Sequence, residues 1–186
     1  LGAITFNFLM SLSGGLLATY IVSKGDAFWT FSGGLAGIIG ASAGNDLYHP
    51  IQALIIGGIV PVIAYKLHHY VERRFKLDDA VGAVAVHGYA GFMGVVIAGF
   101  VLWGAPSSPF EGYAAINPLG QFAGAIIMFF VLGFAPAYIV TRIQSAFGVL
   151  RIPPEVELQG LDFADHHAYE NAIAEITSAT HEHLKS

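Results

Sequence analysis

The sequence contains no cysteine, which excludes disulfides and thiolate metal sites. It is also poor in charge. Only 11% of its 186 residues are Asp, Glu, Lys or Arg, against about 25% in an ordinary soluble domain. The charges that exist are clustered, and long stretches lack them altogether. About half of the negative charge lies beyond residue 150, in a polar tail. The net charge of −5 carries no signal for nucleic acid, and none is expected as a partner. No nucleophile–base pair or metal triad falls in a plausible cleft, so hydrolytic or transfer catalysis is not expected. No low-complexity run or short internal repeat is evident. Neither a basic n-region nor a cleavage-type site precedes the first apolar run. The chain opens almost inside that run, on Leu1 rather than Met, and is expected to be an incomplete sequence.

What is present is apolar: 55% of the residues are hydrophobic and the mean hydropathy is +0.63. In water such a chain would expose far too much apolar surface, and its natural solvent is lipid. The expected fold class is all-α, a polytopic membrane helix bundle. The bundle occupies residues 1–150, and residues 151–186 form the soluble, partly ordered tail. Five segments approach the roughly 20 apolar residues that a spanning helix needs. They run over about 3–22, 29–44, 51–67, 79–103 and 119–148. The second is short and rich in small residues.

Orientation follows from Lys and Arg. Lys24 follows the first segment, and Lys66, Arg73, Arg74 and Lys76 surround the end of the third. Arg142, Arg151 and Lys185 end the chain, while the connections 45–50 and 104–118 hold neither residue type. Every basic residue therefore lies on one side if all five segments span, and dropping the short second segment breaks the pattern. The expectation is a multi-pass protein of the cell membrane with a cytoplasmic C-terminal tail. His49-Pro50 and Asn117-Pro118 read as helix starts, with proline at the first helical position.

Helices in lipid associate through small residues. The second segment offers Gly33, Gly34, Gly37 and Gly40, and the fourth offers a stripe of Gly91, Gly94 and Ala98. Both are expected in the bundle interior. The fifth is bulky, with Phe122, Phe129, Phe130 and Phe134, and is expected at the periphery, kinked at Pro136.

His87 is the informative polar residue. It sits deep in the fourth segment, roughly 12 Å beyond Asp79 at 1.5 Å per residue. Ionisable groups at such depth usually face a cavity or a partner. A neutral imidazole offers one donor and one acceptor, which suits a small polar solute that sheds water. Two other readings stand beside it: a structural histidine bonded to a neighbouring helix, or a haem or metal ligand, which needs a second ligand at depth. His49, His68 and His69 fall at helix ends, and His166, His167, His181 and His183 fall in the tail. The adjacent pairs would bind metal only adventitiously, so no metal site and no cofactor is expected. Asp78 and Asp79 open the fourth helix, where carboxylates cap free N–H groups and complement the macrodipole.

The stretch Lys76-Leu77-Asp78-Asp79-Ala80-Val81-Gly82-Ala83-Val84-Ala85-Val86-His87-Gly88 resembles the ammonium transporter family (Amt, methylammonium permease and Rh proteins). That family has two aspartates opening a helix, then a pore histidine followed by glycine. Ser32-Gly33-Gly34-Leu35-Ala36-Gly37 looks like its small-residue helix, and Glu157-Leu158-Gln159-Gly160-Leu161-Asp162 looks like the start of its tail. The resemblance runs from about residue 4 to 170. It implies eleven spanning helices built from two inverted repeats of five plus a last long helix, of which this chain would supply helices seven to eleven. It implies a homotrimer, each subunit with a narrow apolar pore for ammonium or ammonia lined midway by two facing histidines. His87 would be the second of that pair, with Ala83 on the same pathway. It further implies a PII-type regulatory partner at the cytoplasmic face. Gly82 stands where the family often has a further aspartate. A non-transporting ammonium sensor is the competing function, and a haem-binding electron carrier is a third.

Overall fold

In lipid every backbone N–H and C=O must bond within its own segment, so apolar runs fold as helices. The computed structural model describes residues 2–151 and 156, and among these it is helical. Helix α1 is Gly2–Val22 and α2 is Ala27–Ala41, the latter continued by a 3-10 turn over Ser42–Gly44. Helix α3 is Pro50–Phe75, α4 is Val84–Val101 and α5 is Pro118–Ala146. Helices α1, α3, α4 and α5 are long and apolar enough to cross a membrane. With 15 residues, α2 extends about 22 Å, short of a hydrocarbon core of about 30 Å. It is the element foreseen as short and glycine-rich.

The helix starts follow from their caps. Asp26 Oδ1 accepts from the Trp29 N–H at 2.7 Å, and Asn117 Oδ1 accepts from the Gly120 N–H at 2.7 Å. His49 Nδ1 accepts from the Ile51 N–H at 3.2 Å while Gln52 Oε1 accepts from the His49 N–H at 2.9 Å, a reciprocal cap ahead of Pro50. Two boundaries differ from expectation. Helix α3 ends at Phe75 rather than near 67, because its polar last turns remain helical until Lys76 takes a left-handed φ of 57°. Helix α4 begins at Val84 rather than at Asp79, because Gly82 adopts a φ of +65° and turns the chain first.

The chain divides into two compact units, Leu1–Ala135 and Pro136–Ser186. In the first, α1 packs on α2 and α3, which also pack on each other, and α4 packs on α2 and α5. Small residues make the approach close. A Cβ added at Gly57 would collide with the Ser11 backbone, one at Gly15 with the Gly33 carbonyl, and one at Gly94 with the Gly40 backbone. Contact of this kind replaces the hydrophobic drive that lipid removes. One polar side chain within it pins the turn before α3, although its own Oδ1 and the Tyr48 hydroxyl are buried without a partner among the described residues. The buried Asn7 amide donates to the Asn45 and Tyr48 carbonyls at 2.9 and 2.7 Å. Burial also pushes the Tyr48 phenol up to about 12.

The segment of α5 within this unit is mostly exposed, as expected of a peripheral helix. Phe122 and Phe129 meet Phe92 of α4 edge-on, with centroids 6.2 and 5.9 Å apart. Over Ile127–Phe134 the helix is π-wound, ending two residues before Pro136, which has no N–H to donate. In the second unit the described residues are the last turns of α5, then 147–151 and Val156. The tail expected over 151–186 otherwise lies outside the described residues, as do His166, His167, His181 and His183.

Candidate functional site

The start of α4 organises the site. The carboxylate of Asp79 reaches over the Gly82 turn, accepting from the Val84 N–H at 3.2 Å and the Ala85 N–H at 3.1 Å. Both bonds go to Asp79, whereas Asp78 is exposed in a shallow groove with Glu72, Arg73 and Lys76. The two aspartates expected to cap together are thus unequal. The capped residues open a π-helical stretch, Val84–Tyr89, in which the Ala90 N–H bonds back to the Ala85 carbonyl. Such widened turns concentrate at functional sites.

His87 lies in this stretch. Its side chain is exposed, as is that of Ala83, one turn before it. It lines an open groove of about 280 Å³ with Gly91, Phe92, Val95, Met128 and Phe129. Apart from His87, those side chains are all apolar. Among the described residues the His87 imidazole has no hydrogen-bond partner, so the reading of a histidine tied to a neighbouring helix finds no bond. A smaller apolar cavity of about 210 Å³ shares Gly88, Phe92 and Phe129 with the groove.

Sequence reasoning missed a second polar centre, at the end of the bundle that carries the basic residues. His68, on α3, is buried at 7% exposure. Its Nδ1 lies 3.4 Å from Asp79 Oδ2 and its Nε2 lies 3.8 Å from Glu72 Oε2. His69 Nδ1 lies 3.4 Å from the same Glu72 oxygen. Trp29 of α2 packs edge-on against both imidazoles, at 4.7 and 5.4 Å between centroids, and Tyr65 against His69 at 4.6 Å. Asp79 therefore belongs to two structures, the cap of α4 and this cluster on α3. The local signal was the His-His-x-x-Glu spacing over 68–72, which aligns three side chains on one helical turn. The contributions of Trp29 and Asp79 come from distant sequence and leave no local mark.

Residues 2–171 match the Ammonium Transporter Family. The chain is 35% identical over 161 residues to ammonium transporter Amt2 of Methanocaldococcus jannaschii, covering 84% of this chain and 36% of that protein. It is 31% identical over 162 residues to ammonium transporter Amt1 of the same organism, covering 83% and 38%. Among solved structures it resembles a chain titled Sensor Amt Protein, with a TM-score of 0.74, 25% identity, and coverage of 88% of this chain and 41% of that one. The chain spans less than two fifths of the length of these two curated relatives, which are transporters by name rather than enzymes. On the match over residues 2–171, with the helix order and the Asp79-to-His87 segment that accompany it, the chain belongs to the Ammonium Transporter Family.

Proposed function

We propose that this chain supplies one wall of an ammonium-conducting pathway, with His87 and Ala83 on that wall. The observation that carries the reading is the imidazole of His87, exposed in an apolar groove and without a partner among the described residues. An apolar groove penalises a bare cation far more than a neutral solute, because burying a charge forfeits its hydration. Ammonia passes such a wall at lower cost than ammonium. A neutral imidazole accepts one hydrogen bond and donates another, and its two nitrogens let a proton enter on one side and leave on the other. Ammonium recruited outside would give up its proton before the groove and cross as ammonia, the proton travelling separately or the pair moving as net ammonium. A second imidazole facing His87, from outside this chain, would complete the relay, in keeping with sites at the interface of inverted repeats.

The basic end of the bundle faces the cytoplasm in this reading, because Lys24, Arg73, Arg74 and Lys76 cluster there. The assembly is a homotrimer in the cell membrane, and a PII-type protein acts at the cytoplasmic face. Both parts of the proposal rest on what is common in the family, not on a contact in this chain. A membrane sensor is the second reading, favoured by the similarity to the chain titled Sensor Amt Protein.

The test is methylammonium uptake by cells lacking their own ammonium carriers and expressing the complete gene product, with His87 intact or as His87→Ala. Loss of a hydrogen bond in a desolvated pathway costs about 1–3 kcal/mol, so uptake through the alanine variant should fall roughly 10- to 100-fold. Absence of uptake with either version, at normal surface expression, would favour the sensor.

A further inference from the structure

We infer that His68, His69 and Glu72 form a binding site for a divalent transition ion of the zinc class, with Asp79 orienting His68. Sequence reasoning expected no metal site here. The geometry of the donors argues otherwise. One donor atom from each of His68, His69 and Glu72 lies within 4.8 Å of the other two. Donors about 2.1 Å from a tetrahedral ion stand about 3.4 Å apart. The two measured separations to Glu72 Oε2 are 3.8 and 3.4 Å. Both exceed the 2.7–3.2 Å of good N–H···O bonds. Two ring nitrogens thus converge on one carboxylate oxygen at the spacing an intervening cation requires.

The tautomer agrees. Asp79 Oδ2, 3.4 Å from His68 Nδ1, draws the ring proton to that nitrogen. The Nε2 lone pair is then left facing Glu72, the carboxylate–histidine–metal arrangement that raises ligand basicity. Two carboxylates, Glu72 and Asp79, balance a 2+ charge. Arg73, next to Glu72 in sequence, is engaged by the backbone, its Nε donating to the His69 carbonyl at 3.0 Å. The rings are held before any ion arrives, by Trp29 against both and by Tyr65 against His69. His68 is buried while Glu72 and part of His69 reach the surface, which leaves an entry path and room for a water as fourth ligand. Two nitrogens and one oxygen suit zinc and its neighbours, whereas magnesium and calcium demand oxygen donors.

The experiment uses the complete gene product in detergent, without an affinity tag, with His166, His167, His181 and His183 changed to Gln so that the tail offers no competing imidazoles. Zn²⁺ alone is titrated by calorimetry, and Co²⁺ alone is followed by its visible absorption. The expected result is one ion per chain with a tetrahedral cobalt spectrum, unaffected by excess Mg²⁺. Glu72→Gln and His69→Gln, at partly exposed positions, should each weaken binding at least about 10-fold, and Asp79→Asn by about 10-fold through its effect on His68. Retained folding of each variant is checked by its unfolding temperature without metal. No binding, or binding unchanged by Glu72→Gln and His69→Gln, means an adventitious ion only and overturns the proposal. Neither readout depends on transport, so this inference and the pathway reading fail separately.

Discussion

His68 and His87 both lie on apolar helices, yet their surroundings are opposite. His68 is buried, with a carboxylate near each ring nitrogen and Trp29 against its edge. His87 is exposed in an apolar groove and its imidazole has no partner among the described residues. A polar group removed from water is costly unless its hydrogen bonds are met. For His68 the chain itself sets a carboxylate 3.4 Å from Nδ1 and another 3.8 Å from Nε2. For His87 no such group stands among the described residues, and in the proposed pathway the partner is a passing solute or a facing side chain. If the proposed pathway holds, the comparison separates a group packed into the fold from a group that the fold presents. Asp79 joins the two regions, since it touches His68 with the same carboxylate that caps the helix carrying His87.

The largest effect expected from breaking this arrangement is at Asp79. The change Asp79→Ala removes two capping acceptors and the carboxylate facing His68 Nδ1. Loss of the cap costs about 1–2 kcal/mol and the abandoned polar group about 1–2 more. Asp78→Ala, at an exposed position without a share in the cap, should cost less than about 0.5 kcal/mol. Thermal unfolding of the complete protein in detergent measures both. Equal losses at the two positions would remove Asp79 from its double role.

The readable part of this architecture is local. The Asn117-Pro118 and His49-Pro50 starts carry their own caps, and the glycines of α2 announce a buried helix. His87 stood out because it interrupts an apolar run. The rest depends on contacts between distant segments or on chain winding. Hydropathy marks the hydrocarbon stretch, so it stopped α3 near 67, although Lys66 to Arg74 continue the same helix. The π windings at Val84–Tyr89 and Ile127–Phe134 follow no residue pattern. The glycine seam of α1 and α3 was not singled out, because Gly15 and Gly57 matter only through Gly33 and Ser11 opposite them. The His68 centre was hidden for the same reason. Read alone, His68 is one of two histidines at a helix end, and only Trp29 and Asp79 turn it into a buried centre.

A smaller effect sharpens the contrast from the other side. His68→Phe keeps a ring against Trp29 but removes both nitrogens, leaving Asp79 Oδ2 and Glu72 without their imidazole. The retained packing limits the loss to about 1–2 kcal/mol, the cost of stranding a partly buried polar partner. The unfolding midpoint should therefore fall, and by less than in Asp79→Ala. A midpoint that stays unchanged would mean that the His68 nitrogens contribute nothing to holding α3 against the start of α4.

The smallest effect on stability is expected at His87, and there the two regions should part. Nothing among the described residues bonds to its imidazole, so His87→Ala breaks no hydrogen bond there and empties no packed interior. Its stability change should stay within about 0.5 kcal/mol, as for a surface substitution. The same variant is the one expected to lose methylammonium uptake. A histidine that matters to uptake and not to unfolding is one the fold presents. If His87→Ala instead lowers the unfolding midpoint as far as His68→Phe does, then the missing partner is a permanent one in the complete protein. His87 would then be a second structural histidine rather than a contact for the solute.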